Sequence, residues 1–196
     1  MAKPLVVAGF RYGGYNQRPL ARHVPVQPVR SETVALRRGR SIQGNDLFPS
    51  DVIEAAQAAQ SKWGIPASIS LAQWGLESSF GRRMPANSFN PFGIKATKKD
   101  IENGNSVDAM TWEVINGRNV HLPQPFRKFA NFAEAFDYHG KLLANGSAYS
   151  IARSKLPDPY GFANGLTGHY ATDPNYGVKL IDKFIKPYNL TQYDTQ

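Results

Sequence analysis

The chain has 196 residues, a net charge of +8 and no cysteine, and 41% of its residues are hydrophobic. These values are typical of a single globular domain that buries a core. The lack of cysteine excludes disulfides and thiolate metal sites. No apolar run approaches the roughly 18 residues that a membrane-spanning helix needs.

The basic charge is concentrated at the N-terminus. Residues 1–47 hold eight Lys/Arg and two acidic residues, a net of +6, whereas the remainder carries only +2. Because residues 1–47 are rich in Pro, Gly and Arg without sustained periodicity, we expect an extended arm, followed by a folded domain over 48–196. The arm could associate with nucleic acid, an anionic membrane or an acidic wall polymer, although most of its charges are expected to be solvated. No cleavage site is evident, so no Sec signal peptide is predicted.

The first predicted helix begins near Ser50 or Asp51. Either residue can cap a helix, and Glu54 lies three residues after Asp51, the spacing of a capping box. Val52, Ile53, Ala56 and Ala59 then recur at helical spacing. Gly64 is expected to end this helix.

A second helix is predicted from about Ala67 to Ser79. Pro66 suits its first turn, and Gly81 is expected to stop it. Its core face is predicted to include Ile69, Ala72, Leu76 and Gln73. Glu77 therefore falls near the C-terminus of this helix, where the helix dipole is unfavourable for a carboxylate.

A small β-lobe is predicted inside this helical domain. Residues 98–104 are polar and are expected to form a loop. The β-prone runs at 110–115 and 118–122 flank an Asn-Gly pair, which is a strong hairpin signal. Pro123 and Pro125 are expected to break the returning strand.

Helices are predicted again in the C-terminal third. One begins at Asn131 or Phe132, a short one covers 160–168, and another begins with Asp173 as N-cap and Pro174 in the first turn. The expected core residues of these helices are Ala135, Phe136, Tyr138, His139, Leu142, Leu143, Val178, Ile181 and Ile185. The predicted fold class is therefore α+β, mainly α, with a small β-hairpin lobe.

Glu77 is the leading candidate for chemistry. It lies in an apolar or neutral run, and a carboxyl in such surroundings is expected to have a raised pKa and to donate a proton near neutral pH. A glycosidase needs such a general acid. The alternative is a solvated surface glutamate. The four histidines show no metal-ligand spacing, so no metal and no cofactor is predicted.

Four segments give the chain a recognisable resemblance, and they occur in the order 72–81, 90–96, 111–113 together with 126–129, and 170–176. With these segments the chain resembles the glucosaminidases of glycoside hydrolase family 73, which include bacterial autolysins and the flagellar rod-associated muralytic domain. The resemblance covers residues 49 to about 190 and implies a lysozyme-like fold with the hairpin lobe beside a substrate groove.

The resemblance implies roles for individual residues. Glu77 matches the family's general acid, Glu113 matches a β-lobe glutamate proposed as base or stabiliser, and Tyr170 matches a tyrosine that positions the N-acetyl group or a water. For Glu113 the alternative is a strand residue that faces solvent. Six further residues are predicted to line the groove or to stack on sugars: Asn90, Phe92, Lys95, Trp74, Tyr149 and Tyr176.

The resulting hypothesis is a peptidoglycan hydrolase, an endo-β-N-acetylglucosaminidase that cuts the β-1,4 bond between N-acetylglucosamine and N-acetylmuramic acid. Inverting and N-acetyl-assisted retaining chemistry both stay open. The alternatives are a non-catalytic peptidoglycan-binding module and, as a distant third, a nucleic-acid binder. The expected setting is a monomer that acts in the bacterial periplasm or cell wall, delivered as an antibacterial type VI secretion effector or as a phage lysin. For an effector, a cognate immunity protein that blocks the groove is the expected partner.

Overall fold

The computed structural model describes residues 46–115 and 118–195. The predicted N-terminal arm therefore lies almost wholly outside the described residues, as does the Asn-Gly pair of the hairpin. None of the described helices combines the length and apolar character that crossing a membrane requires.

The predicted class, mainly helical with a small sheet, is confirmed. The sheet consists of two antiparallel strands that follow one another in sequence. The helices and strands in chain order are α1 (Ser50–Trp63), α2 (Ala67–Ser78), α3 (Lys98–Glu102), β1 (Ser106–Ile115), β2 (Arg118–Arg127), α4 (Phe132–Asn145), α5 (Ser150–Arg153), α6 (Pro159–Gly165) and α7 (Tyr176–Leu180). A 3₁₀ turn at Ser147–Tyr149 precedes α5, a wide π turn at Ile181–Ile185 follows α7, and a 3₁₀ turn at Leu190–Tyr193 lies near the C-terminus.

Helix α2 is the centre of the fold. It contacts α1, α4, α6 and α7, and eleven of its twelve residues are buried. The prediction of a single core face is therefore wrong, because neighbours cover this helix on several sides. Polar residues are consequently carried into the interior, and Ser68, Ser70, Gln73 and Glu77 are all buried.

The two N-terminal helix starts differ from the expected caps. Pro49 occupies the N-cap position of α1 without a side-chain hydrogen bond, so the predicted capping box is wrong. Asp51 instead accepts from the adjacent amide of Val52 at 2.9 Å. The N-terminus of α2 is capped from the other end of the chain, where Asp194 accepts from the amide and the hydroxyl of Ser68 at 2.7 and 2.8 Å. These bonds satisfy a donor that the first turn of a helix leaves without a partner.

The C-terminus of α2 is a sharp reversal. The helix ends at Ser78, and the next three residues, Ser79, Phe80 and Gly81, have φ angles of 52°, 59° and 76°. The helix therefore ends three residues before Gly81, the residue that was predicted to stop it. A Cβ atom on Gly81 would lie 2.4 Å from the ring of Trp74, so this position requires glycine on two grounds.

The hairpin is confirmed, and its strands are longer than expected. Ile115 pairs with Arg118 and the ladder continues to Ser106 and Arg127, so the prediction that Pro123 and Pro125 break the second strand is wrong. The carbonyl of Pro125 accepts from the amide of Ala96 at 3.0 Å. The backbone polar groups of Pro125, and by alternation those of Pro123, therefore point away from β1, and neither proline removes a bond from the ladder.

The polar stretch before the hairpin is a short helix rather than a loop. Thr97 and Asp100 form a capping box around the start of α3, with the Asp100 amide donating to Thr97 Oγ1 and the Thr97 amide donating to Asp100 Oδ2. Asp100 also forms an ion pair with Arg127 at 2.8 Å. This pair attaches α3 to the end of β2.

The C-terminal helices agree with expectation in part. Helix α4 begins at Phe132, one of its two predicted starts, and Asn131 caps it by accepting from the amide of Glu134 at 2.9 Å. The predicted helix start at Asp173 is wrong, because Asp173 Oδ1 accepts from Asn175 in a turn and α7 begins at Tyr176. Val178 is 51% exposed rather than in the core.

Candidate active site

Glu77 lies in the last turn of α2 and is 7% exposed. The hydroxyl of Tyr176 donates to its Oε1 atom at 2.6 Å. The side-chain amide of Gln73 in turn donates to the Tyr176 hydroxyl at 2.8 Å. Gln73 and Glu77 are four residues apart in one helix and so lie on the same side of it. The three side chains form a hydrogen-bonded line that ends on the carboxylate.

Tyr170 packs beside this line. Its ring stacks on Tyr176 with centroids 5.5 Å apart and planes 20° apart, and its side chain has no exposed surface. Among the described residues, the Tyr170 hydroxyl has no hydrogen-bond partner. Burial, reinforced by the negative charge of Glu77, raises the pKa of both tyrosines well above its ordinary value. Both phenols therefore stay protonated at neutral pH and can act as donors.

Close packing of α6 and α7 brings the two tyrosines under α2. The amide of Tyr170 donates to Leu166 at the end of α6, at 2.8 Å, and the amide of Gly177 donates to Thr167 Oγ1 at 3.0 Å. A Cβ atom on Gly177 would lie 2.6 Å from the carbonyl oxygen of Ala163. Glycine at position 177 therefore permits the approach that places Tyr176 against Glu77.

Asn90 holds the loop after α2 to the β-lobe. It is completely buried, donating to the carbonyls of Ile94 and Arg127 at 2.8 Å each and accepting from the amide of Ile94 at 3.0 Å. Its side chain is thus in the interior rather than on a groove wall as predicted. Lys95 is half-buried, and its ammonium lies 4.2 Å from the centroid of the Phe126 ring.

Three aromatic residues predicted to contact sugars are packed in the core. Phe92 has no exposed surface and stacks on His139 with centroids 4.0 Å apart. Trp74 and Tyr149 are each 2% exposed; the Trp74 ring meets Phe132 edge-on at 5.0 Å, and Tyr149 lies 6.0 Å from Tyr170. The prediction that they line a groove is corrected, because each ring is enclosed by other side chains. Tyr176, 1% exposed, contacts the candidate acid instead.

Glu113 occupies a position in β1 opposite Val120. Its side chain lies outside the described residues, so its role stays a prediction. The neighbouring positions show that the hairpin has two different faces: Thr111 is 3% exposed, whereas Trp112 is 42% exposed and stacks on His121 across the strands.

Two residues near the site have roles that the sequence did not suggest. Gln73 was expected only to pack, although its spacing of four residues from Glu77 on a helix could have indicated a shared function. His139 was expected to pack and does, but burial also lowers its pKa to about 3, so it is neutral, with Nδ1 3.3 Å from the hydroxyl of Ser70. In the part of the chain that is described, no group of three or more His, Asp or Glu could hold a metal ion.

Comparison with known proteins gives consistent matches. A glucosaminidase family model, described as mannosyl-glycoprotein endo-beta-N-acetylglucosaminidase, matches residues 53–190. An autolysin of Enterococcus faecalis is 36% identical over 162 residues, 78% of this chain and 21% of the relative. The exo-glucosaminidase LytG of Bacillus subtilis is 30% identical over 182 residues, 90% of this chain and 63% of the relative. The chain therefore spans less than two thirds of either relative.

A solved structure matches over most of its length. The catalytic domain of the autolysin Auto from Listeria monocytogenes is 33% identical and superposes with a TM-score of 0.65, over 74% of this chain and 84% of that domain. The similarity therefore extends from the sequence to the arrangement of the helices and the hairpin.

Proposed function

Since the chain belongs to the glucosaminidase family, glycoside hydrolase family 73, and has its lysozyme-like fold, we propose that it hydrolyses peptidoglycan with Glu77 as the general acid. The observation that carries the proposal is the carboxyl of Glu77, 7% exposed, with the Tyr176 hydroxyl 2.6 Å from Oε1. A general acid must be held in a fixed orientation and must have its departing proton directed at the leaving oxygen.

The hydrogen bond from Tyr176 determines which oxygen of Glu77 carries the acid proton. Because Oε1 accepts from Tyr176, the proton resides on Oε2, and Oε2 donates it to the glycosidic oxygen as the C1–O bond breaks. The electron pair of that bond leaves with the oxygen. Tyr176 then stabilises the carboxylate that remains, since a hydrogen bond to a charged acceptor is stronger than one to a neutral acceptor.

The positive charge that develops at C1 needs negative charge or a nucleophile nearby. Two routes can supply it. In the first, Glu113 on the hairpin activates a water that attacks C1; in the second, the N-acetyl group of the substrate attacks C1. Tyr170 is proposed to position the water, because its hydroxyl is buried beside the Glu77–Tyr176 pair and has no partner among the described residues. Inversion through a Glu113-activated water and retention through the N-acetyl group are both compatible with this arrangement.

The bond that we propose is the β-1,4 linkage that leaves N-acetylglucosamine at the new reducing end. The description of the matching family model and the name of the Bacillus subtilis relative, an exo-glucosaminidase, support this choice. A relative from Lactococcus lactis is named a probable N-acetylmuramidase, which would cut the alternate linkage. Identification of the reducing-end sugar released from purified peptidoglycan, absent with Glu77→Gln, tests both the activity and the bond.

The proposed setting is attack on the wall of another bacterium, with the protein delivered as an injected effector and opposed by a cognate immunity protein. The test is to produce the protein in a Gram-negative host with and without an export signal. Lysis only with the exported form, and not with exported Glu77→Gln, is the expected result. Lysis from the cytoplasmic form would point to a different target.

A further inference from the structure

We propose that Gln73 is a positioning residue for proton transfer by Glu77, acting only through the hydroxyl of Tyr176; this rests on the proposed function of Glu77 as the acid. Gln73 has no exposed surface and so does not touch the substrate. Its amide nitrogen lies 2.8 Å from the Tyr176 oxygen, which lies 2.6 Å from Glu77 Oε1.

A phenol has one hydrogen and can both donate and accept. With the ring of Tyr176 fixed by stacking on Tyr170 and by the start of α7, the remaining freedom is rotation of the O–H group. Since the amide of Gln73 donates to the phenol oxygen, the hydrogen of Tyr176 is directed at Glu77. Gln73 therefore selects the direction of the hydrogen bond at the acid.

The opposite direction would change the chemistry. Without the hydrogen bond from Gln73, the Tyr176 oxygen could accept a hydrogen bond from a protonated Glu77. The acid proton would then point at Tyr176 instead of at the glycosidic oxygen. The direction imposed by Gln73 keeps the acid proton on Oε2. It also provides a donor to the carboxylate that forms when the proton leaves.

The other side-chain atom of Gln73 argues against a purely packing role. Its carbonyl oxygen is buried and has no hydrogen-bond partner among the described residues. A buried acceptor without a partner destabilises the folded state. An apolar residue of the same shape, such as methionine, would avoid this cost, so the amide is better explained by what its nitrogen does.

The test compares wild type, Gln73→Met, Tyr176→Phe and the double variant by the pH dependence of kcat/KM on soluble peptidoglycan fragments. The alkaline limb reports loss of the acid's proton. Removing a donor disfavours the carboxylate, so the limb should move to higher pH, by about one unit for Tyr176→Phe and by less for Gln73→Met. The double variant should match Tyr176→Phe, since Gln73 acts through that hydroxyl.

Ser70→Ala is the matched control. Ser70 is buried in the same helix but is bonded to His139 rather than to Tyr176, so its loss should leave the alkaline limb in place. An unmoved limb in Gln73→Met, or a double variant that moves further than Tyr176→Phe, would overturn the proposal.

A carbon-13 NMR titration of the Glu77 carboxyl separates this proposal from the proposed function. It needs no turnover, and the midpoint should rise in Gln73→Met and not in Ser70→Ala. If wild type hydrolyses no glycan, the proposed function fails, yet a raised midpoint would still support positioning by Gln73. An unchanged midpoint would reject it even in an active enzyme.

Discussion

Tyr176 Oη lies 2.6 Å from Glu77 Oε1, although 99 residues separate the two in sequence. The contact joins the end of α2 to the start of α7, so the candidate acid is complete only when the C-terminal third has packed against the central helix. Variants that loosen this packing should therefore lower activity as well as stability, whereas variants of the contact itself should mainly affect activity.

Replacement of Tyr170 by Phe should separate activity from stability. The Tyr170 hydroxyl is buried without a partner among the described residues. Its removal should therefore raise the free energy of unfolding by at most about 1 kcal/mol and should not lower it. If the hydroxyl positions a water that takes part in the reaction, kcat should fall at least roughly tenfold. Chemical denaturation and fragment release measure the two effects. Tyr188→Phe, in the aromatic cluster with Phe48 and Phe80, is the control and should retain activity; full activity of Tyr170→Phe would reject the proposed role.

Gly81 and Gly64 form a matched pair for testing the reversal after α2. Both have positive φ angles, 76° and 73°, but an added Cβ at Gly64 meets nothing within 4 Å, whereas at Gly81 it would lie 2.4 Å from the Trp74 ring. Gly64→Ala should cost about 1 kcal/mol for the left-handed backbone alone. Gly81→Ala should cost about 1–3 kcal/mol more. Equal unfolding free energies for the two variants would show that the Trp74 ring moves aside freely.

Asp194 should stabilise α2 as a hydrogen-bond acceptor rather than as a charge. Burial raises the pKa of this carboxyl although two bonds from Ser68 oppose the shift. The folded state therefore binds the Asp194 proton more tightly than the unfolded state does. The stabilisation that results from this tighter binding is complete below pH 3.8 and is lost as pH rises through the folded pKa. At pH 7, Asp194→Ala should lose about 1 kcal/mol, and Asp194→Asn, which keeps an acceptor without the charge, should lose little. Urea unfolding at pH 4 and 7 checks both; a large loss in Asp194→Asn would contradict this view.

His139 should make the protein sensitive to acid. Its pKa is lowered from 6.5 to about 3 by burial, so between these values the unfolded chain binds a proton that the folded chain does not. The free energy of unfolding should fall as pH falls from 6.5 towards 3, by about 1.4 kcal/mol per unit from this residue. His139→Leu should be less stable at pH 7 but should have a flatter profile. The comparison requires denaturation curves at several pH values, and parallel profiles would exclude His139 as the source.

Local sequence patterns predicted the helices and strands well, but they did not predict how these elements pack. The hairpin was predicted from an Asn-Gly pair between β-prone runs, and α4 from the helical spacing of its apolar residues, because short-range chemistry determines both. Contacts between residues that are far apart in the sequence were missed. Ser68 receives its cap from Asp194, 126 residues away, and the prolines of β2 are tolerated because of Ala96, in a separate segment.

At the candidate site, the sequence identified the important residues more successfully than it identified their roles. Glu77, Tyr170 and Tyr176 were all singled out, and the structure brings them together. Asn90, Phe92 and Trp74 were predicted to face sugars but are buried, since a motif shows that a residue is required without showing whether it binds substrate or holds the fold. The contact of Gln73 with Tyr176 spans 103 residues and could not be read from either segment alone.

The role of Glu77 in peptidoglycan hydrolysis can be measured by digestion of purified peptidoglycan with wild type and Glu77→Gln, followed by borohydride reduction and mass spectrometry of the fragments. We expect fragments that end in reduced N-acetylglucosamine from wild type, and a loss of release of at least about a hundredfold with Glu77→Gln. Fragments that end in reduced N-acetylmuramic acid would change the assigned bond but keep the acid. Undiminished release by a folded Glu77→Gln, or peptidoglycan binding without any release by wild type, would show that Glu77 is not the general acid of a peptidoglycan hydrolase.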